Sequence, residues 1–153
     1  DNEWNWFRWG EWRAYDERLR MNDFVSELIA WRRDNIDRLS PLEYGSAGWA
    51  WKDAANNDKT DWSNAHLAVH YYEDPQILIL INMEDSEVSF SLPAEVSWQR
   101  VVDTQAWWDE GYLEANPELQ TESSYNILRG APIAIGDPSY GVPAKTIVIL
   151  EQQ

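Results

Sequence analysis

The chain has 153 residues, enough for one ordinary domain or a small domain with an appendage, and enough to bury a core without a covalent staple. It contains no cysteine, which excludes disulfides and thiolate metal sites, and 27 acidic residues against 12 basic ones leave a net charge of −15. Such a surface repels phosphate backbones and anionic headgroups, no apolar run approaches the roughly 20 residues that span a bilayer, and the opening residues do not read as a signal peptide, so neither a nucleic-acid nor a membrane partner is expected.

The stretch Asp1–Arg13 carries tryptophans at positions 4, 6, 9 and 12, a spacing that fits neither a strand nor a helix over its whole length. It reads as an irregular arm whose aromatics need cover. Eleven tryptophans in the whole chain imply large packed surfaces, a seam to a neighbouring domain, or flat faces for sugar rings. From Met21 to Leu39 the pattern becomes helical, with Phe24, Val25, Leu28, Ile29 and Trp31 or Arg32 forming one apolar stripe. Asn22 or Asp23 supplies an oxygen for the first free N–H groups, Arg32 and Arg33 suit the negative end, and Ser40-Pro41 stops the helix.

After Pro41 the period changes to two. His66–Tyr72 alternates, with Leu67, Val69 and Tyr71 on one face, and Asp74-Pro75 marks a turn. Gln76–Asn82 is apolar on both faces, which predicts a central strand covered on two sides. Glu87–Leu92, Trp98–Thr104, Ile133–Ile135, Tyr140–Val142 and Lys145–Glu151 complete the strands, with Trp49–Lys52 as a further candidate. Polar stretches at 53–64 and 109–126 read as surface excursions. The predicted fold is mainly β, an antiparallel β-sandwich preceded by one helix.

Several stretches, in order, resemble one family. Asp1-Asn2-Glu3, Trp6-Phe7 and Trp9 are similar to the Asp-Asn-Glu…Trp-(Leu/Phe)-Asp-Trp segment of isoamylase-type glycogen- and starch-debranching enzymes, members of the α-amylase superfamily of glycoside hydrolases. Phe24–Arg33 resembles the last barrel helix of that family, and Trp51-Lys52-Asp53 with Thr60-Asp61-Trp62 resembles the insert before its C-terminal sheet. Ile79–Asn82, Arg100–Thr104 and Tyr140–Leu150 follow the same C-terminal domain. Two positions depart from the pattern: Arg8 replaces an aspartate, and Asp34-Asn35 stands where a His-Pro pair is usual.

The resemblance implies that residues 1–39 are the end of a (β/α)8 catalytic barrel, its aromatic loop and last helix, and that residues 40–153 are the C-terminal β-sandwich domain. It implies a parent enzyme that cleaves α-1,6 glucosidic branches by retention, with nucleophile and general acid/base carboxylates lying upstream of the matched segment. This chain is then a non-catalytic accessory domain, with no cofactor of its own, whose partners are the upstream barrel and α-glucan. A cytoplasmic setting follows from the same likeness, although the family has secreted members. An independent carbohydrate-binding module is the competing expectation.

Candidate substrate contacts are Asp1 and Glu3, at positions that border the cleft in the family, and Trp49 and Trp51, which share a strand face and so suit a sugar platform. Trp107-Trp108 reads as packing or, in a loop, as a second platform. His66 and His70 sit four apart on a strand, about 13 Å along one face, too far for one metal ion, so no metal site is expected. The arm and helix, without a barrel, are expected to fold back onto the sheet or to pair with another copy.

Overall fold

The computed structural model describes residues 16–40, 48–105 and 133–153. Two helices lead: α1, Asp16–Asp34, and the single turn α2, Ile36–Leu39. The continuous helix expected over 21–39 is therefore longer at its start and broken near its end. The break is at Asn35, a buried side chain whose amide donates to the Trp31 carbonyl at 2.8 Å while its backbone N–H is shared between the carbonyls of Trp31 and Arg32. A short polar side chain that bonds its own backbone in this way competes with continued helix.

The strands are β1 Trp49–Lys52, β2 His66–Tyr71, β3 Ile77–Asn82, β4 Val88–Ser91, β5 Trp98–Asp103, β6 Ile133–Ile135, β7 Ser139–Val142 and β8 Thr146–Gln152. Six form an antiparallel sheet in the order β1-β2-β3-β8-β5-β6, and β4 and β7 pair as a separate antiparallel ribbon. The expected strand set is present to within two residues at each end. β3 lies in the middle, as its two-sided apolar sequence requires. Ile77 and Ile79 turn to one face and Leu78 and Leu80 to the other.

The two faces of the six-stranded sheet bury different partners. Ile77, Val101, Val102 and Ile149 meet Phe24 and Trp31 of α1, with Leu28, Leu39, Tyr71 and Ile79 at the margin. Ala68, Leu78, Leu80, Trp98, Val148 and Leu150 meet Phe90 and Val142 of the ribbon. The helix thus folds back onto the sheet, one of the two outcomes expected for it, and residues on both sides of position 40 share a core. A polar clasp fixes its far end: the Trp31 indole donates to Glu151 Oε1 at 2.6 Å, Arg38 lies 3.7 Å from the same oxygen, and the Arg38 guanidinium donates to the Pro75 carbonyl at 2.5 Å.

A register shift between Arg100 and Val102 sets the ribbon side of β5. The extra residue turns Val101 and Val102 to the helix face together. Asp103, paired with Val148, is then on the ribbon side with Arg100, which an unbroken strand would forbid for residues three apart. The two charges lie 3.6 Å apart in the interior, and Arg100 also donates to the Tyr140 hydroxyl at 2.6 Å.

Candidate functional site

The most exposed aromatic surface among the described residues grows from the edge strand β1. Pairing of Trp49 with Tyr71 and of Trp51 with Val69 sets both indoles on the helix side of the sheet, as the alternation predicts. The chain then reverses within five residues. Asp53 Oδ1 accepts from the N–H groups of Ala55 at 2.9 Å and Asn57 at 2.8 Å, and Asn56 takes the left-handed conformation, φ 65°, that asparagine tolerates well. The returning strand edge closes against β1, with the Lys59 N–H donating to the Trp51 carbonyl at 2.9 Å. That bond covers an edge which would otherwise invite pairing with another chain.

This reversal delivers Trp62 to the corner. Asp61 Oδ1 accepts from the Ser63 N–H at 2.9 Å and fixes the turn on which the indole stands. The Trp62 ring meets Trp51 at 6.2 Å and 77°, Trp51 meets Trp49 at 5.2 Å and 82°, and Trp49 stacks on Tyr71 at 6.3 Å and 27°. Edge-to-face contacts of this kind are favourable because each ring offers a positive rim to a negative face. Trp49 and Trp51 are thus on one face but nearly perpendicular, both half-buried, so together they make no flat surface. Trp62 remains 57% exposed. In the sequence it stands out only through the Thr60-Asp61-Trp62 motif, because it lies in a polar stretch that has no period.

The charged groups around the corner all have hydrogen-bond partners. Lys52 Nζ bonds Asp58 at 2.8 Å, and that hydrogen bond raises the lysine pKa against a smaller opposing effect of burial. The buried Lys59 ammonium donates to Asn64 Oδ1 at 2.5 Å and lies 5.6 Å from the centre of the Trp62 ring. Asp61 is held below the usual carboxylate range, chiefly by hydrogen bonds from Ser63.

Other candidates are dispersed. Asp1, Glu3 and the pair Trp107-Trp108 lie outside the described residues. His66 and His70 share the ribbon face of β2 but serve different partners, Glu84 at 3.2 Å and Gln76 at 2.7 Å. Burial pushes the His70 imidazole down from its ordinary value of 6.5. Among the described residues no cluster of three or more histidine, aspartate or glutamate side chains is arranged for a metal ion. A cleft of about 420 Å3 opens between β5–β6 and the ribbon, lined in part by Glu87, Arg100, Asp137, Ser139 and Tyr140. Its cation is already committed to Asp103 and the Tyr140 hydroxyl.

No described helix is long and apolar enough to cross a membrane. Comparison with known proteins finds no family model that matches the chain and no matching curated protein.

Proposed function

We propose that this chain is the non-catalytic C-terminal accessory domain of an isoamylase-type debranching glycoside hydrolase, with its helix seated between the β domain and a catalytic barrel. In this reading the unequal pair of antiparallel sheets is the β-sandwich, and α1 is the last helix of a (β/α)8 barrel.

The observation that carries the reading is that α1 is apolar on two sides. Phe24, Leu28 and Trp31 fall within about 60° of arc on the helical wheel and meet the sheet. Met21, Val25 and Ile29 form a second stripe roughly 90° away and are 41%, 37% and 63% exposed, with Ile36 beyond them at 40%. A surface helix needs only one apolar stripe, and a second one exposed beside it marks an interface. A helix at the junction of a barrel and a trailing domain needs both. The quoted motifs supply the identity of the partner.

Reading the coding sequence upstream of Asp1 tests the proposal directly. The expected result is a barrel with a nucleophile, a general acid/base and a third carboxylate, and a longer polypeptide in which a probe at Ile29 is shielded. Release of reducing ends from amylopectin by this chain alone would sink the reading. So would equal labelling of Ile29→Cys in the short and long polypeptides.

A further inference from the structure

We infer that Trp62 is the stacking ring of a surface site for a neutral α-glucan chain. Two features carry this. The ring is exposed on 57% of its surface, whereas the buried indoles Trp31 and Trp98 are 6% and 2% exposed and are satisfied by Glu151 and the Pro93 carbonyl. It is held in place before any ligand arrives, with Trp51 edge-on at 6.2 Å, Lys59 Nζ at 5.6 Å and the Asp61–Ser63 turn beneath it. A ring fixed in this way loses little freedom on binding, so more of the stacking energy appears as affinity.

The polar surroundings select the ligand. A pyranose offers an apolar C–H face to an indole and a rim of hydroxyls to neighbouring hydrogen-bonding groups. Asp58, 81% exposed, Asp61 and Asn64 lie along the loop that carries the ring. Lys52 is ion-paired with Asp58, and Lys59 is buried with its ammonium bonded to Asn64, so neither lysine is presented at the surface as an anion trap. A net charge of −15 further disfavours phosphorylated or uronic polymers. The corner is also distinct from the exposed stripe of α1: the helix lies over β3, β8 and β5, whereas Trp62 stands at the β1 edge.

The choice of α-glucan among neutral chains rests on the debranching reading; the aromatic geometry does not. The full chain is therefore titrated with maltoheptaose, cellohexaose and a proline-rich peptide, following tryptophan fluorescence and calorimetry. Saturable binding of maltoheptaose is expected. Trp62→Ala should weaken it by about tenfold or more, and Trp62→Phe should retain part of it, with thermal unfolding shifted by only a few degrees (roughly the worth of one aromatic pair), since the ring is more than half exposed and packs on Trp51. Binding of cellohexaose alone would overturn the α-glucan assignment and count against the debranching reading as well. Peptide binding without glycan binding, or no binding at all, would overturn the site and leave the accessory-domain reading to be decided by the Ile29 labelling. Maltoheptaose binding that Trp62→Ala leaves intact would also overturn it.

Discussion

The two faces of the six-stranded sheet solve different problems. On the helix side the buried strand residues described are aliphatic: Val69, Ile77, Val101, Val102 and Ile149. On the ribbon side lie the five buried polar strand residues found among the described ones, His70, Asn82, Arg100, Asp103 and Thr146. Apolar surface is attractive in any orientation, so it binds a helix firmly while saying little about its exact seat. Buried hydrogen-bonding groups stabilise one arrangement and penalise its neighbours. The ribbon, only two strands wide, needs that specification. Among the described residues the helix is tied to the sheet by a polar clasp at Glu151, where the Trp31 indole and Arg38 converge.

Substitutions on the ribbon side should therefore be costly even when shape is kept. The largest effect is expected from Asp103→Leu, which removes the carboxylate opposite the buried Arg100. Equilibrium urea unfolding should show a loss of about 3–5 kcal/mol, the range for breaking a buried pair from one side. Asn82→Leu comes next. The Asn82 amide donates to the carbonyls of Ser86, Val142 and Pro143, at 2.8, 2.9 and 3.0 Å, and its oxygen accepts from the Glu84 N–H. An isosteric apolar side chain leaves those groups unmatched, and a loss of roughly 2–4 kcal/mol is expected in the same assay. If both variants cost less than 1 kcal/mol (on the order of an ordinary surface change), the contrast between the faces fails.

The legible part of the fold followed from the same contrast. β3 announced itself because both its faces are covered by apolar neighbours, which forces the unbroken run Ile77–Ile81. β2 was legible by alternation because its neighbours differ on the two sides. The start of α1 was not, since Asp16–Arg20 contributes one leucine and no apolar period, although its residues form helix readily. The bulge at Val101-Val102 escaped notice because two adjacent valines read as an ordinary strand pair. Trp49 and Trp51 were placed on a common face correctly, but their perpendicular rings depend on contacts with Tyr71 and Trp62 made through tertiary structure. Trp62 entered only through a motif, because its position depends on a turn that returns the chain to β1.

A pH experiment sharpens the contrast further. Burial lowers the His70 pKa in the fold, so the unfolded chain takes up a proton there more readily than the native one. The associated stability is fully present above the ordinary value of 6.5 and falls as the pH drops below it, down to the lowered native value. Glu84 and Asp85, held low by the Ala65 N–H and by Lys145 respectively, lose their contributions only at more acid pH. Urea midpoints between pH 7 and 5 should decline for the natural chain, and His70→Gln should flatten that decline. A slope unchanged in the variant would assign the effect elsewhere.

The helix side should respond least. Ile79→Leu conserves volume against an aliphatic neighbourhood and is expected to cost less than about 1.5 kcal/mol. Ile29→Lys should be smaller still, within about 0.5 kcal/mol in the isolated chain, since the side chain is 63% exposed and belongs to no core cluster. The same change should be severe in a longer polypeptide that includes the proposed barrel, where a lysine on the second stripe would have to be buried without a partner. The comparison is read from one substitution in two contexts, so intrinsic helix propensity cancels. A tolerated Ile29→Lys in both would leave the second apolar stripe without an interface, whereas a loss confined to the longer polypeptide ties the exposed side of α1 to its neighbour.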